Sequence, residues 1–243
     1  MLRYMIGKLD VVVLDAADYQ GLAAFYGELT GWEQTYADDD WVTLRANDGW
    51  KVGFQLSPDH RPPHWPGQEH PQQAHLDLRV PDLEPALERV LALGGTLLRR
   101  NERWLTVADP AGHPFDLAWQ PGGAGFELLA PVLDCPDALT LSFFYTALLG
   151  KPLTHNDDDG FTMIGEVGAQ PMMFQQVDDY HPPRWPDPAH PQQLHLDVLV
   201  DDLDAAEAAT LALGATRVPS TGTTFRVFLD PVGKPFCLCS EPG

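Results

Sequence analysis

The sequence contains PPHWPGQEHPQQAHLDLRVPDL at residues 62–83 and the closely similar PPRWPDPAHPQQLHLDVLVDDL at residues 182–203. His75 and His195 match at an offset of 195 − 75 = 120. Upstream, residues 14–32 match residues 133–151 at an offset of 133 − 14 = 119. Downstream, DPAGHPFDL at 109–117 matches DPVGKPFCL at 230–238 at an offset of 230 − 109 = 121. A nearly constant offset along the whole chain indicates two collinear copies of one unit.

The junction between the copies is rich in glycine. Residues 120–125 are QPGGAG, a composition typical of a flexible linker. We therefore expect one domain over residues 1–120, the first copy, and another over residues 126–243, the second copy.

Hydrophobic periodicity alternates between strand and helix within each copy. In the first copy, alternation predicts strands near 10–14, 52–56, 74–80, 96–99, 103–108 and 113–119. Leu22, Phe25, Tyr26 and Leu29 fall at helical spacing, and Gly31 marks the end of that helix. A second helix is predicted to begin after Asp82. Each copy therefore consists of two successive βαβββ units.

Composition limits the classes of function. Hydrophobic residues make up 44% of the 243-residue chain, which is enough for globular cores, and the formal net charge is −20. Such acidity disfavours binding to nucleic acid or to an anionic membrane surface. The chain has neither an 18-residue apolar stretch nor a signal-peptide pattern. Its three cysteines are too few for a framework of disulfide bonds. We expect a cytoplasmic monomer or homodimer that acts on or binds a small molecule.

The order of elements and motifs resembles the vicinal oxygen chelate superfamily of glyoxalase and bleomycin-resistance proteins. The motifs are an Asp followed by Phe-Tyr and Gly (Asp18 to Gly31), HLD at 75–77 and DPAGHPF at 109–115. All three recur in the second copy. The resemblance implies an α+β fold in which paired βαβββ modules form a cup-shaped eight-stranded sheet, here in two copies. It also implies a ligand site inside the cup. Members include metal-dependent lyases, isomerases and dioxygenases, thiol transferases, and metal-free proteins that sequester antibiotics.

The resemblance also implies where metal ligands would lie. The first-strand ligand position is Val11 in one copy and Ala130 in the other, and neither side chain binds metals. The fifth-strand position is retained as His75 and His195, and the eighth-strand carboxylate as Asp116, with Cys237 in its place in the second copy. A fourth-strand position corresponds to Gln55 and Gln175. We therefore expect no cofactor. If a divalent metal binds instead, its ligands would be His75, Asp116 and Gln55.

Strand parity groups the polar candidates on one surface. His75 and Asp77 are two residues apart and share a strand face, as His195 and Asp197 do. Such a pair is interpreted either as a metal-ligating or acid–base pair, or as a hydrogen-bonded pair that organises the floor of the cup. We expect Gln55, His75, Asp77 and Asp116 to point into the same cup.

Aromatic residues distinguish the two copies. Six of the seven tryptophans lie in the first copy, and parity places Trp41 and Trp104 on the cup face, with Gly160 and Phe225 as their counterparts. The proline-rich loops at residues 59–70 and 179–190 are expected to pack a tryptophan over the cup mouth.

Cys237 and Cys239 would share a strand face and are interpreted as buried, unreactive thiols.

Three functional hypotheses follow. The first is a protein that binds a planar or aromatic metabolite, or an antibiotic, in a first-copy pocket walled by Trp41 and Trp104. Its polar contacts would come from Gln55 and Asp116, with His195, Asp197 and Gln175 in the second copy. The alternatives are a metal-dependent lyase, isomerase or dioxygenase, and a metal-free enzyme that uses His75 and Asp77 as catalytic residues.

Overall fold

The computed structural model describes residues 5–187 and 189–240. Within these residues the chain forms four successive βαβββ modules. The first copy supplies two of them, with bounds β1 Lys8–Ala16, α1 Tyr19–Thr30, β2 Glu33–Ala37, β3 Trp41–Arg45 and β4 Lys51–Leu56, then β5 Ala74–Val80, α2 Leu83–Ala92, β6 Thr96–Arg100, β7 Trp104–Ala108 and β8 Pro114–Trp119. The second copy supplies β9 Glu127–Cys135, α3 Ala138–Leu149, β10 Leu153–Asn156, β11 Phe161–Ile164 and β12 Met172–Gln176, then β13 Leu194–Leu199, α4 Leu203–Ala212, β14 Thr216–Val218, β15 Phe225–Leu229 and β16 Pro235–Cys239.

The strands form two eight-stranded mixed sheets, which confirms the predicted α+β fold of paired modules. One sheet has the order β14-β15-β16-β13-β1-β4-β3-β2, and the other has the order β10-β11-β12-β9-β5-β8-β7-β6. We call the first of these cup-shaped sheets cup A and the second cup B. Each cup thus combines the first module of one copy with the second module of the other.

This exchange differs from the expectation that each copy closes a cup of its own. At the centre of cup A, β1 pairs with β13 in antiparallel fashion, and Val11 lies opposite Asp197. At the centre of cup B, β5 pairs with β9, and Asp77 lies opposite Ala130. Both central ladders therefore join the two copies. The boundaries 1–120 and 126–243 stay a prediction for the domains.

Two loops carry the chain from one sheet to the other. Residues 57–73 connect β4 of cup A to β5 of cup B, and residues 177–193 connect β12 of cup B to β13 of cup A. The predicted linker lies in the turn between β8 and β9, which both belong to cup B.

Helices α1 and α3 pack against both sheets because each has a long buried apolar face. Leu22, Phe25, Tyr26 and Leu29 of α1 are buried, as the spacing predicts. The Tyr26 ring contacts Phe54 of cup A and Phe115 of cup B, so a single buried cluster extends across both sheets. Gly31 ends α1 with a φ of 79°, a left-handed conformation that glycine adopts without steric cost. In the described part of the chain, no helix has the length and apolar character needed to cross a membrane.

Candidate functional site

Cup A contains a cavity of about 390 Å³ on its concave face. Three aromatic side chains from different elements line it, namely Trp41 of β3, Trp185 of the 177–193 loop and Phe225 of β15. The polar lining includes Gln55, His195 and Asp197. A concave, mostly apolar space of this size with a few convergent polar groups is typical of a small-molecule site.

Trp41 lies over a strand position that has no side chain. A Cβ atom on Gly53 would lie 2.6 Å from Trp41 Cζ2 and 3.1 Å from Val11 Cγ1, so glycine leaves the space that the indole occupies. Trp41 Nε1 donates a hydrogen bond to Thr43 Oγ1 at 2.7 Å, which fixes the orientation of the ring. The indole thus forms part of the cup floor.

His195 is held from both sides of its ring. Gln192 Nε2 lies 3.0 Å from His195 Nδ1 and donates to Asp15 Oδ1 at 3.1 Å. On the other side, His195 Nε2 lies 3.7 Å from Asp197 Oδ1. Burial by itself lowers the pKa of His195, but the hydrogen bond and charge of Asp15, with the charge of Asp197, outweigh it and raise the pKa.

In cup A, the position that corresponds to the eighth-strand carboxylate of the family lies on β16 and carries a thiol. Cys237 and Cys239 are half-buried free cysteines that line the cavity. A hydrogen bond with Cys239, together with burial, raises the pKa of the Cys237 thiol, which therefore stays protonated.

Cup B groups His75, Asp77 and Asp116 on one face of its central strands. Asp77 of β5 lies opposite Asp116 of β8, and the ligand atoms of the three residues lie within 4.8 Å of one another. The neighbouring floor is an apolar cluster of Ala130, Val132 and Met173. Trp104 of β7 lies at the rim and is 44% exposed.

The imidazole of His75 is surrounded by carboxylates. Gln72 Nε2 lies 3.0 Å from His75 Nδ1 and donates to Asp134 Oδ2 at 2.9 Å, while His75 Nε2 lies 3.4 Å from Asp77 Oδ1. Burial by itself lowers the pKa of His75, but the hydrogen bond and charge of Asp77, and the charges of Asp116 and Asp134, raise it to about 9. Burial raises the pKa of Asp116 to about 6 against the opposing charge of His75.

The two cups differ in how well their residues fit a divalent cation. In cup B, Asp116 Oδ1 is buried without a hydrogen-bond donor among residues 5–187 and 189–240, and Asp77 Oδ1 faces His75 Nε2 at 3.4 Å, so the three residues converge as the ligands of a cation would. In cup A, His195, Asp197 and Cys237 also converge within 4.8 Å. Cup B, with two carboxylates, offers a divalent cation more negative charge than cup A, where a thiol takes the place of one of them.

Both crossing loops place a tryptophan at a cup. Trp185 lines the cavity of cup A, and the guanidinium of Arg99 in β6 lies 4.5 Å from the centre of the Trp65 ring beside cup B. This matches the expectation for the proline-rich loops.

The structure separates some residues that were expected to act together. Gln55 and Trp41 lie in cup A with His195, whereas His75, Asp77, Asp116 and Trp104 lie in cup B. The predicted first-copy pocket and the predicted metal set of His75, Asp116 and Gln55 are therefore wrong, because β4 and β5 belong to different sheets. Gln175 is exposed and lies in cup B, on the strand next to Asp134.

Strand register also corrects one assignment. Trp41 lies opposite Gln55, and Phe161 lies opposite Gln175, so the counterpart of Trp41 is Phe161 rather than Gly160. Trp104 and Phe225 lie opposite Ala118 and Cys239 and remain counterparts.

Sequence reasoning missed the Gln–Asp pairs that lie next to Nδ1 of the two histidines. These pairs are Gln72 and Asp134 in cup B, and Gln192 and Asp15 in cup A. A signal was present, because both copies contain PQQ before the HLD motif and Leu-Asp at 14–15 and 133–134. Only the sheet exchange shows that each Asp serves the histidine of the other copy.

Comparisons with known proteins agree with this architecture. The model of the family described as "Glyoxalase-like domain" matches residues 11–118 and again residues 130–239. A search of curated proteins found no match. Among solved structures, a point mutant of glyoxalase I from Zea mays is 16% identical, with a TM-score of 0.69 over 97% of this chain and 94% of that one.

Two further solved structures are similar over nearly the whole chain. A putative dioxygenase from Bacillus subtilis is 13% identical, with a TM-score of 0.60 over 98% of this chain and 86% of that one. The cppA protein from Streptococcus pneumoniae is 13% identical, with a TM-score of 0.54 over 98% and 100% of the two chains. At these identities the similarity concerns the fold alone. With two matches of the family model over most of its length, the chain belongs to the glyoxalase-like domain family.

Proposed function

We propose that the protein binds a small molecule with a planar aromatic portion in cup A. The observation that supports this most is the cavity of about 390 Å³ with Trp41, Trp185 and Phe225 on its walls. Large aromatic side chains provide contact area at a low cost in side-chain entropy, and they stack on planar ligands. Gln55, His195 and Asp197 supply hydrogen bonds that orient the polar end of the ligand.

The test is calorimetric titration of the intact protein with a panel of phenols and aromatic carboxylates. Trp41→Ala and Phe225→Ala should each weaken binding by about 1–3 kcal/mol, which is roughly tenfold to a hundredfold. Trp104→Ala and Phe161→Ala are the matched controls in cup B and should leave the affinity unchanged. Loss of binding in the cup B variants alone would contradict the choice of cup, and an unchanged affinity in all four variants would contradict the proposal.

A second function is favoured by a different observation in cup B. Asp116 Oδ1 is buried without a donor in the described residues, and the ligand atoms of Asp116, Asp77 and His75 lie within 4.8 Å of one another. A divalent cation bound by these three residues would act as a Lewis acid on a substrate oxygen. The same residues without a cation would serve an acid–base reaction, in which His75 and Asp77 exchange a proton with the substrate.

Metal analysis of protein purified without chelators distinguishes these alternatives. If cup B is a metal centre, the protein should contain close to one equivalent of a divalent transition metal. His75→Ala should abolish this content, and His195→Ala, the matched change in cup A, should preserve it. Metal that is absent from the wild type, or retained in His75→Ala, would rule out the metal centre and leave the acid–base alternative.

A further inference from the structure

A second cavity, of about 350 Å³, lies between the two crossing loops. The loops contact each other directly around it. The main-chain N–H of Gln73 donates to Gln193 Oε1 at 3.2 Å, and Gln193 Nε2 donates to the carbonyl of Pro71 at 3.0 Å. Arg61 Nη1 donates to the carbonyl of Ala189 at 3.3 Å. We call this space the interloop pocket. It is lined by residues of both loops and by neither cup.

The lining of the interloop pocket is basic in a chain of formal charge −20. Two guanidinium groups line it, Arg61 from the first loop and Arg184 from the second, and Glu69 is the acidic side chain there. The rest of the polar lining consists of the imidazoles of His70, His181 and His190 and the amides of Gln68, Gln73 and Gln193. With two guanidinium groups against one carboxylate, the lining attracts anions rather than cations.

Among the described residues, both arginines keep hydrogen-bond donors free for a ligand. A guanidinium has five N–H donors. Arg61 uses one nitrogen for Ala189, and Arg184 Nη2 lies 3.0 Å from His190 Nδ1. Arginine pairs with carboxylate and phosphate groups through two parallel hydrogen bonds, which makes these groups the best match to the lining.

A metal ion matches the interloop pocket less well. The ring centres of His70 and His190 are 6.2 Å apart, and in the part of the chain that the structure describes, three metal-binding side chains converge in the two cups and not here. The two permanent positive charges also oppose a cation.

We propose that the interloop pocket binds a small polyanion with two or more carboxylate or phosphate groups, and that this ligand joins the two loops. Each loop contributes a guanidinium, so a polyanion that contacts both restrains both. The same loops carry Trp185 into cup A and Trp65 against Arg99 beside cup B. The bound polyanion therefore holds both tryptophans in place over the cups.

The test is calorimetric titration of the intact protein with citrate and, separately, with pyrophosphate, at neutral pH and constant ionic strength maintained with chloride. One saturable site is expected for at least one of the two anions, and the comparison distinguishes carboxylate from phosphate recognition. The double variant Arg61→Gln/Arg184→Gln should weaken binding by about tenfold or more. The control Arg45→Gln/Arg100→Gln removes the same charge from exposed arginines that pair with Glu33 and Glu84, and it should leave the affinity unchanged.

A second measurement locates the site. Amide hydrogen exchange should slow in residues 57–73 and in residues 177–193 when the anion is bound, and not elsewhere on the surface. The proposal is overturned if neither anion binds at about 10 mM, a concentration that corresponds to a free energy of only about −3 kcal/mol. It is also overturned if both double variants lose affinity equally, or if binding leaves the exchange of the two loops unchanged.

Discussion

Gly53 makes the floor of cup A different from that of cup B. Its missing Cβ leaves room for the Trp41 indole, whereas the equivalent position in cup B is occupied by Met173, opposite Met163. Two cups with the same strand order therefore present different surfaces, a flat indole in one and a flexible thioether in the other.

Gly53→Ala should displace the indole from this position. The added Cβ would overlap Trp41 Cζ2, and overpacking of this kind lowers the free energy of unfolding by about 1–3 kcal/mol. Urea denaturation measures the change. In a Trp41→Phe background, whose smaller ring lacks the overlapping atoms, the same substitution should cost less. Equal costs in the two backgrounds would mean that the indole is not what Gly53 accommodates.

His113 forms a buried pair at the end of β7. Its Nδ1 lies 3.0 Å from Asp109 Oδ2, which also accepts a hydrogen bond from the Tyr26 hydroxyl at 3.2 Å. Burial by itself lowers the pKa of His113, but the charge and hydrogen bond of Asp109 outweigh it and raise the pKa. The neighbouring His60 has a lowered pKa because of burial and the charge of His113.

The pair should make stability depend on pH. Since the folded pKa of His113 lies above the unfolded value of about 6.5, its contribution is fully present below that pH and is lost as the pH rises through the folded pKa. The stability difference between wild type and His113→Gln should therefore shrink as the pH rises above 6.5. Denaturation at several pH values measures the trend, and a constant difference would contradict it.

The motif Asp-x₆-Phe-Tyr determines where helices α1 and α3 begin. Asp18 is the N-cap of α1 and accepts a hydrogen bond from the main-chain N–H of Gly21 at 2.9 Å. Asp137 does the same for α3 with Thr140 at 2.8 Å. The motif thus positions the helix rather than the ligand.

Asp137→Ala should lower the free energy of unfolding by about 0.5–2 kcal/mol, because it leaves the main-chain N–H of Thr140 without its acceptor. Asp137→Asn is the matched control, since the amide oxygen retains the cap, and it should cost only a few tenths of a kcal/mol. Thermal or urea denaturation provides the measurement. An equal loss in both variants would show that the charge, and not the cap, is responsible.

Periodicity predicts elements with a buried face, and exposed elements less consistently, since the exposed strand Thr96–Arg100 was predicted and the exposed strand Glu33–Ala37 was not. The helix over Leu22 to Leu29 and the strand at 74–80 were found because one face of each is buried. The strand Glu33–Ala37 was not predicted, since all five of its residues are exposed and show no alternation. The residues behind the histidines were missed for another reason: Gln72 acts with Asp134, a partner from the other copy.

Which modules share a sheet was beyond prediction from the sequence. The two copies have nearly the same pattern, so β1 would match β5 or β13 equally well by periodicity. Whether β1 pairs with β5 or with β13 depends on the path of the loops 57–73 and 177–193. The local hydrophobic pattern carries no information about that path. The grouping of the candidate polar residues was thus predicted wrongly, and their functional role stays a prediction.

Separate fragments 1–120 and 126–243 should associate. Each fragment contains one module of each sheet, and both central ladders, β1 with β13 and β5 with β9, join the two fragments. We expect a 1:1 complex on mixing, with the circular dichroism spectrum and elution volume of the intact protein. If each fragment instead folds as a monomer and ignores the other, then each copy closes its own sheet and the boundaries define independent domains.

The exchange of modules has a consequence for how this protein could diversify. A symmetric homodimer of one copy would contain two identical cups, and every substitution would appear in both. In a single chain the two sites accumulate changes separately, so an acid at position 116 coexists with a thiol at position 237. The covalent connection also makes assembly of the cups a first-order process, so dilution does not dissociate them. One gene therefore encodes two paired but unequal sites whose ratio is always one to one.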